Sequence, residues 1–375
     1  MGLASLLLES GDMVKQRLDG KKDGKKAVAR APFELGGVEV QPGERRRVDI
    51  PTPSSFGQAE SSFSVIVHHA KAPGPCLFVS AAIHGDEING VEIIRRVLAM
   101  RALRQLRGTL LAVPVVNMYG FVAQSRYLPD RRDLNRAFPG SQKGSIASRL
   151  ANIFMTEIVA KCTHGIDLHT GAIHRSNLPQ LRACLDHGQT AELADAFGVP
   201  VVLHANVRDG SLRQAVVERD APMLLYEAGE ALRFDEVCIR AGVQGVINVM
   251  RHIGMLPQKK ARQPAKPVVC TKSKWERAPA GGILRPQVAL GDRVHVDQTL
   301  AMLADAAGEN ELTVTASVEG IVIGRTNLPL VNEGDAIFHL AVVEESQNVA
   351  DNVAAFHADL DPDNPSISNE PAITS

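Results

Sequence analysis

The stretch with the clearest capacity for chemistry is Cys76-Leu-Phe-Val-Ser-Ala-Ala-Ile-His84-Gly85-Asp86-Glu87-Ile-Asn-Gly90. An apolar run of strand length is followed by an imidazole and a carboxylate three positions apart, where a helix over Val91–Leu106 is expected to start. On one helical turn those side chains share a face, with Cβ atoms roughly 5–6 Å apart. His nitrogen with carboxylate oxygen suits zinc, and a catalytic zinc needs one more protein ligand and an open position. Gly85 and Gly90 are read as the points where the backbone turns sharply. The blander reading is a helix N-terminus in which Asp86 and Glu87 favour the dipole. The H-x-x-E spacing alone does not decide between the two.

Three further stretches bear on that choice. Gly165-Ile-Asp-Leu-His169-Thr-Gly171 ends a short strand on an imidazole, which is a third ligand or an ordinary hydrogen-bonded His. Two His and one carboxylate complete a catalytic zinc set with an open fourth position. Asp167 is expected to point away from His169. Met223-Leu-Leu-Tyr-Glu227-Ala-Gly229 puts a carboxylate at the end of a buried strand, where an unpaired charge is costly. Glu227 is either a salt-bridged residue or a general base that takes a proton from zinc-bound water. The loop Ser125–Gly140 is dense in Arg. Its residues either form local Arg–Asp pairs in solvent, or supply an Arg to polarise a carbonyl and an Asn-Arg pair to hold a carboxylate.

These residues need a frame, and from about residue 75 the pattern is strand–helix alternation. Strands are expected at Leu77–Ile83, Thr109–Val116, Gly165–Leu168, Val199–Leu203 and Pro222–Tyr226, with helices Ser145–Lys161, Thr190–Phe197 and Phe234–Met250 among them. Nearly continuous apolar runs such as Leu110–Val116 predict an α/β fold with a mostly parallel central sheet and helices on both faces. Ligands of such sheets bind beyond the carboxyl ends of the strands, where His84, His169 and Glu227 all fall. That coincidence favours the metal reading.

The 375 residues divide by texture. An N-terminal segment, 1–32, contains a Lys/Gly-rich run, and the α/β domain spans 33–256. A basic, Pro-containing connector is expected at 257–274, a small all-β barrel or sandwich at 275–343, and a disordered acidic tail at 344–375. Lys+Arg 41 against Asp+Glu 42 gives a net charge of −1, which leaves no electrostatic case for nucleic acid. An aromatic content of 4% argues the same way. The five cysteines are scattered without a C-x-x-C, so no disulfide framework is expected. With no signal-like N-terminus and no bilayer-length apolar segment, a cytoplasmic protein without a membrane partner is expected.

Taken together, His84-Gly-Asp-Glu87, Ser125-Arg126-Tyr127, Asp133-Leu-Asn135-Arg136, Asp167-Leu-His169-Thr-Gly and Tyr226-Glu227-Ala-Gly resemble the succinylglutamate desuccinylase/aspartoacylase family of the zinc carboxypeptidase clan. The resemblance spans roughly residues 75–250 in the family's order. It implies that His84, Glu87 and His169 bind one zinc ion per chain and that Glu227 is the catalytic base. It further implies that Arg126 stabilises the oxyanion and that Asn135 with Arg136 grips a substrate carboxylate. The spacing of Arg126 from the Asn-Arg pair leaves Arg131 and Arg132 as competitors. His174–Arg182 resembles bacterial members that include N-acetyl-diaminobutyrate deacetylase. The C-terminal β region resembles the appendage of those members. A biotinyl or lipoyl carrier is excluded, because no lysine follows Lys274.

The expectation is a zinc amidohydrolase that deacylates an N-acyl amino acid or a similar small amide. A metallocarboxypeptidase cleaving short peptides and a non-catalytic binding protein on the same fold are the alternatives. Homo-oligomerisation is left open.

Overall fold

A computed structural model describes residues 30–54, 61–186, 188–204, 209–258, 266–343 and 356. The expected N-terminal segment up to residue 29 and the expected acidic tail, Phe356 apart, lie outside the described residues.

The fold is mixed α/β around a 13-stranded sheet. Its strand order runs Ser273–Arg277, Ala336–Val342, Gly320–Thr326, Arg175–Ala183, Met223–Glu230, His164–Gly171, Ala72–Ala81, Arg107–Val113, Ser62–His69, Glu44–Pro51. Val201–His204 pairs with Arg175–Ala183, and Val268–Cys270 pairs with it in turn. The expected parallel pairing holds in part. Parallel pairing holds through the centre, from Met223–Glu230 to Arg107–Val113, and again through Val201–His204. The flanks and the Arg175–Ala183 strand are antiparallel.

Period-two alternation explains why the central strands are apolar throughout. Leu77, Val79, Ala81, Leu110, Ala112, Ile166 and Leu168 face one core, closed by helices Asn89–Ala99, Gly188–Phe197 and Glu236–His252. Phe78, Leu111 and Val113 face the opposite core, closed by Ile146–Glu157 and Leu212–Val217. In that second core Phe154 meets Phe63, Phe78 and Phe138 at ring separations of 6.3, 5.9 and 6.1 Å. Aromatic contacts of this kind add about 0.5–1.5 kcal/mol each beyond area burial. Leu134 and Phe138 are buried there too, and they anchor the long loop that follows Arg107–Val113. The helix expected over Val91–Leu106 ends at Ala99 and continues as a 3-10 turn, Arg101–Gln105.

Residues 273–342 are all strand and loop. Leu312–Thr315, Thr299–Ala304, Gly282–Pro286 and Leu330–Val331 form a four-stranded sheet. It shares a core with Val322, Phe338 and Leu340 of the large sheet. Gly320–Thr326 also pairs with Arg175–Ala183, so the β region continues the central sheet. The stretch expected as a connector contains strand Val268–Cys270, and its residues 259–265 lie outside the described residues. Among the described residues, no helix is long and apolar enough to cross a membrane.

Candidate active site

His84 and Glu87 sit in the turn that leaves strand Ala72–Ala81, before the helix begins at Asn89. They were expected within the first helical turn. Their approach comes instead from a tight turn in which the Glu87 N–H donates to the His84 carbonyl at 3.1 Å. Gly85 is required there by packing, because a Cβ would stand 2.0 Å from the Gly120 carbonyl carbon. The turn is pinned on its other side, where the Leu232 N–H donates to the Asp86 carbonyl at 2.8 Å and Asn89 Nδ2 donates to the Ala228 carbonyl at 3.2 Å.

His169 arrives on the neighbouring strand, and the three side chains converge. Glu87 Oε1 lies 2.7 Å from His84 Nδ1, and Glu87 Oε2 lies 2.8 Å from His169 Nδ1. One ligand atom from each residue falls within 4.8 Å of the others, and all three residues are buried. The outer nitrogens are held by further carboxylates. His169 Nε2 is 2.7 Å from Asp167 Oδ2, and His84 Nε2 is 3.1 Å from Asp133 Oδ1. Fixing each Nε2 in this way turns Nδ1 toward the shared centre, as partner carboxylates do for metal-binding imidazoles. The donor set could therefore hold a metal ion. Asp167 was expected to point away from His169. Positions two apart on a strand share a face, so it points the same way, and its other oxygen accepts from Ser80 Oγ at 2.7 Å.

Asp133 links this cluster to the Arg-rich loop. Arg126 Nη2 donates to Asp133 Oδ2 at 2.9 Å, and Arg126 Nη1 lies 3.4 Å from Glu87 Oε1. Arg131 and Arg132 are exposed, and Arg132 Nε lies 3.7 Å from Asp130 Oδ2. Of the three arginines, Arg126 is the one beside the ligand cluster. Asn135 is buried, its N–H donating to Asp133 Oδ1 at 2.8 Å and its side-chain oxygen accepting from the Leu212 N–H at 2.9 Å. Arg136 is exposed, with Nη1 2.5 Å from the Asn135 carbonyl.

Glu227 stands opposite His169 in the parallel register, and opposite Gln180 on the antiparallel side. Its Oε2 accepts from Asn177 Nδ2 at 3.0 Å, and Oε1 lies 3.6 Å from Arg182 Nε. Asn177 and Arg182 were not singled out from sequence. The one available signal was their place in the His174–Arg182 segment. At the rim, Glu230 accepts from the His174 N–H at 2.9 Å and from Asn327 Nδ2 at 2.8 Å.

The charges are strongly interdependent. Burial alone would raise Glu87, but the His84 and His169 imidazoles outweigh it and hold the carboxyl well below its ordinary range. Burial would lower both imidazoles. Glu87 and Asp133 raise His84 instead, and Asp167 and Glu87 raise His169. Asp133 is held low against burial by His84 and Arg126. A metal ion held there would compete with protons for these same nitrogens.

Residues 73–253 match the family model described as the succinylglutamate desuccinylase/aspartoacylase catalytic domain. The chain is similar to N-alpha-acetyl-L-2,4-diaminobutyric acid deacetylase of Halomonas elongata, at 27% identity over 290 residues, covering 74% of this chain and 84% of that protein. Among solved structures, the product-bound ectoine utilization protein EutE (DoeB) of Ruegeria pomeroyi superposes with a TM-score of 0.74 at 22% identity, covering 84% of this chain and 99% of that one. A succinylglutamate desuccinylase/aspartoacylase from Rhodobacter sphaeroides gives a TM-score of 0.70 at 24% identity, covering 79% and 95%. The two structures share the fold. His84, Glu87, His169 and Glu227 all fall within residues 73–253, the part of the chain that matches the succinylglutamate desuccinylase/aspartoacylase catalytic domain.

Proposed function

We propose that this protein is a zinc-dependent amidohydrolase that removes the acyl group from an N-acyl amino acid. The observation that carries the reading is the convergence of His84, Glu87 and His169, with Glu227 in register beside His169. His84 Nδ1, His169 Nδ1 and the Glu87 carboxylate would hold the metal. When bound, zinc supplies Lewis acidity to an amide carbonyl and acidifies a water.

The protein's own groups do the rest. Asn177 fixes Glu227 Oε2, which leaves Oε1 to accept the proton of the attacking water and to return it to the leaving amine. Arg126 brings a guanidinium beside the ligand cluster, where it stabilises negative charge developing on the carbonyl oxygen. Arg136 is exposed, and its planar fork, beside Asn135, would take the substrate carboxylate. Asp133 and Asp167 orient the two imidazoles.

The test is a panel of N-acyl amino acids beside dipeptides, with zinc-loaded protein and release of free amine as the readout. N-alpha-acetyl-2,4-diaminobutyrate heads the panel because it is the substrate named for the Halomonas relative. Preference for the acyl amino acids supports the deacylase reading. Faster cleavage of dipeptides would favour a metallocarboxypeptidase, and turnover of neither would overturn both.

A further inference from the structure

Away from the ligand cluster, two thiols face each other across the sheet. Cys76 lies on Ala72–Ala81, and Cys162 sits in the turn that enters His164–Gly171, with Sγ atoms 3.5 Å apart. The backbone between them is tightly held. The Thr163 N–H donates to the Cys76 carbonyl at 2.8 Å, the Cys76 N–H donates to Thr163 Oγ1 at 3.1 Å, and Thr163 Oγ1 donates back to the Cys76 carbonyl at 2.9 Å. Regular parallel pairing starts at the next residue, Leu77 opposite His164. Neither cysteine is fully buried, whereas Cys238 and Cys270 are.

We propose that Cys76 and Cys162 are a modification site that forms a reversible disulfide, a staple at the end of the sheet opposite the ligand cluster. A disulfide sulfur pair is separated by about 2.0 Å, so the sulfurs need approach by only ~1.5 Å. A low-molecular-weight disulfide of the glutathione class serves as oxidant. A thiolate of the pair attacks one of its sulfurs and releases one small thiol, leaving a mixed disulfide. The second protein thiolate then displaces the second small thiol. The protein loses two electrons and two protons, and the small disulfide is reduced to two thiols. Burial and the neighbouring Cys76 sulfur push the Cys162 thiol up.

The staple would join the two strands that present the ligand cluster. The segment it closes, with its ends 86 positions apart, contains His84, Glu87, Arg126, Asn135 and Arg136. Cross-linking so long a segment restricts the unfolded chain and favours the folded state. The site is independent of the hydrolase reading, and its test needs no substrate.

The full chain is equilibrated with oxidised or with reduced glutathione, digested without reduction and analysed by mass spectrometry, and its thermal unfolding is followed. Oxidised glutathione should yield a Cys76–Cys162 linked peptide, remove two of the five titratable thiols and raise Tm by on the order of a few degrees. Reduction should reverse all three changes. Cys76→Ser and Cys162→Ser should each abolish the linked peptide and the redox dependence of Tm. If a variant fails to fold, the peptide map of the wild-type chain still decides. A stable glutathione adduct on Cys76 without linkage, a link to another cysteine, or five free thiols throughout would overturn the proposal.

Discussion

Glu227 and His169 are direct neighbours across two parallel strands, Cα opposite Cα, so a carboxylate and an imidazole leave the same face of the sheet side by side. Only one of the two enters the cluster around Glu87. Glu227 instead accepts from Asn177 and lies 3.6 Å from Arg182, both on the antiparallel strand on its other side. Adjacent positions on one sheet are thereby given different work.

Glu227→Gln should separate those roles. It preserves shape and removes proton transfer, so zinc content and fold should survive while kcat falls by about 10²–10⁴-fold. KM should change little. Near-normal kcat, or loss of zinc on elemental analysis, would make Glu227 structural.

Asn177→Ala removes the hydrogen bond that fixes Glu227 Oε2. A hydrogen bond to a charged group contributes roughly 1.5–3 kcal/mol, so kcat/KM should drop by about 10–100-fold. Zinc content should stay the same, which distinguishes this variant from a ligand mutant. An unchanged kcat/KM would mean that Glu227 orients itself unaided.

Asp133→Asn and Asp167→Asn address the outer ring of the imidazoles. Each should weaken zinc binding by about 10–100-fold without abolishing it, the usual effect of losing a carboxylate behind a metal-binding His. Competition against a chelator measures this directly. His84→Ala and His169→Ala, by contrast, should lose stoichiometric zinc altogether. Equal affinity in the Asp variants and wild type would show that the imidazoles need no such support.

Arg136→Lys keeps the charge and loses the bidentate fork, so binding of a carboxylate-bearing substrate should weaken by about 1–3 kcal/mol. The effect should appear in kcat/KM and vanish for the matching amide of the same substrate. An equal effect on both would place Arg136 in the loop rather than on the substrate.

Metal-free protein should be most stable in weakly acidic solution. Glu87 and Asp133 are held below their ordinary values of 4.5 and 3.8, so their contribution is present above those values and lost on acidification. His84 and His169 are raised above 6.5, so their contribution is complete below 6.5 and lost as the pH climbs through the raised values. Tm of chelator-treated protein should therefore peak between these limits. A steady rise from about pH 5 to about pH 8 would contradict the charge pattern.

The site was more legible in the sequence than the sheet. His84, His169 and Glu227 follow apolar runs, and the end of a buried strand is a place the sequence marks well. Arg175–Ala183 was not read as a strand because it contains Pro179 beside Asn177 and Gln180, and proline cannot donate to a ladder. Missing that strand hid the antiparallel pairing beside Met223–Glu230 and, with it, Asn177. The pairing of Glu227 with residues near 180 is a matter of register between distant segments, which no local pattern encodes. Asp133 was visible as part of a motif, yet its contact with His84 needs the loop folded back by Leu134 and Phe138. The helical placement of His84 and Glu87 failed for a local reason, since both sit in the pinned turn around Gly85 and the helix begins only after them, at Asn89.

The joining of Gly320–Thr326 to Arg175–Ala183 bears on where this protein can be cut. The family match ends at residue 253, but the sheet does not. Cleaving the chain there would strip Arg175–Thr326, Ser176–Arg325 and Asn177–Gly324 of their pairing and remove Asn327 from Glu230. The freed backbone would lie on the same strand as Asn177, as an open edge inviting intermolecular β-association. The shortest fragment worth expressing therefore extends past residue 342, well beyond the segment that the family model matches.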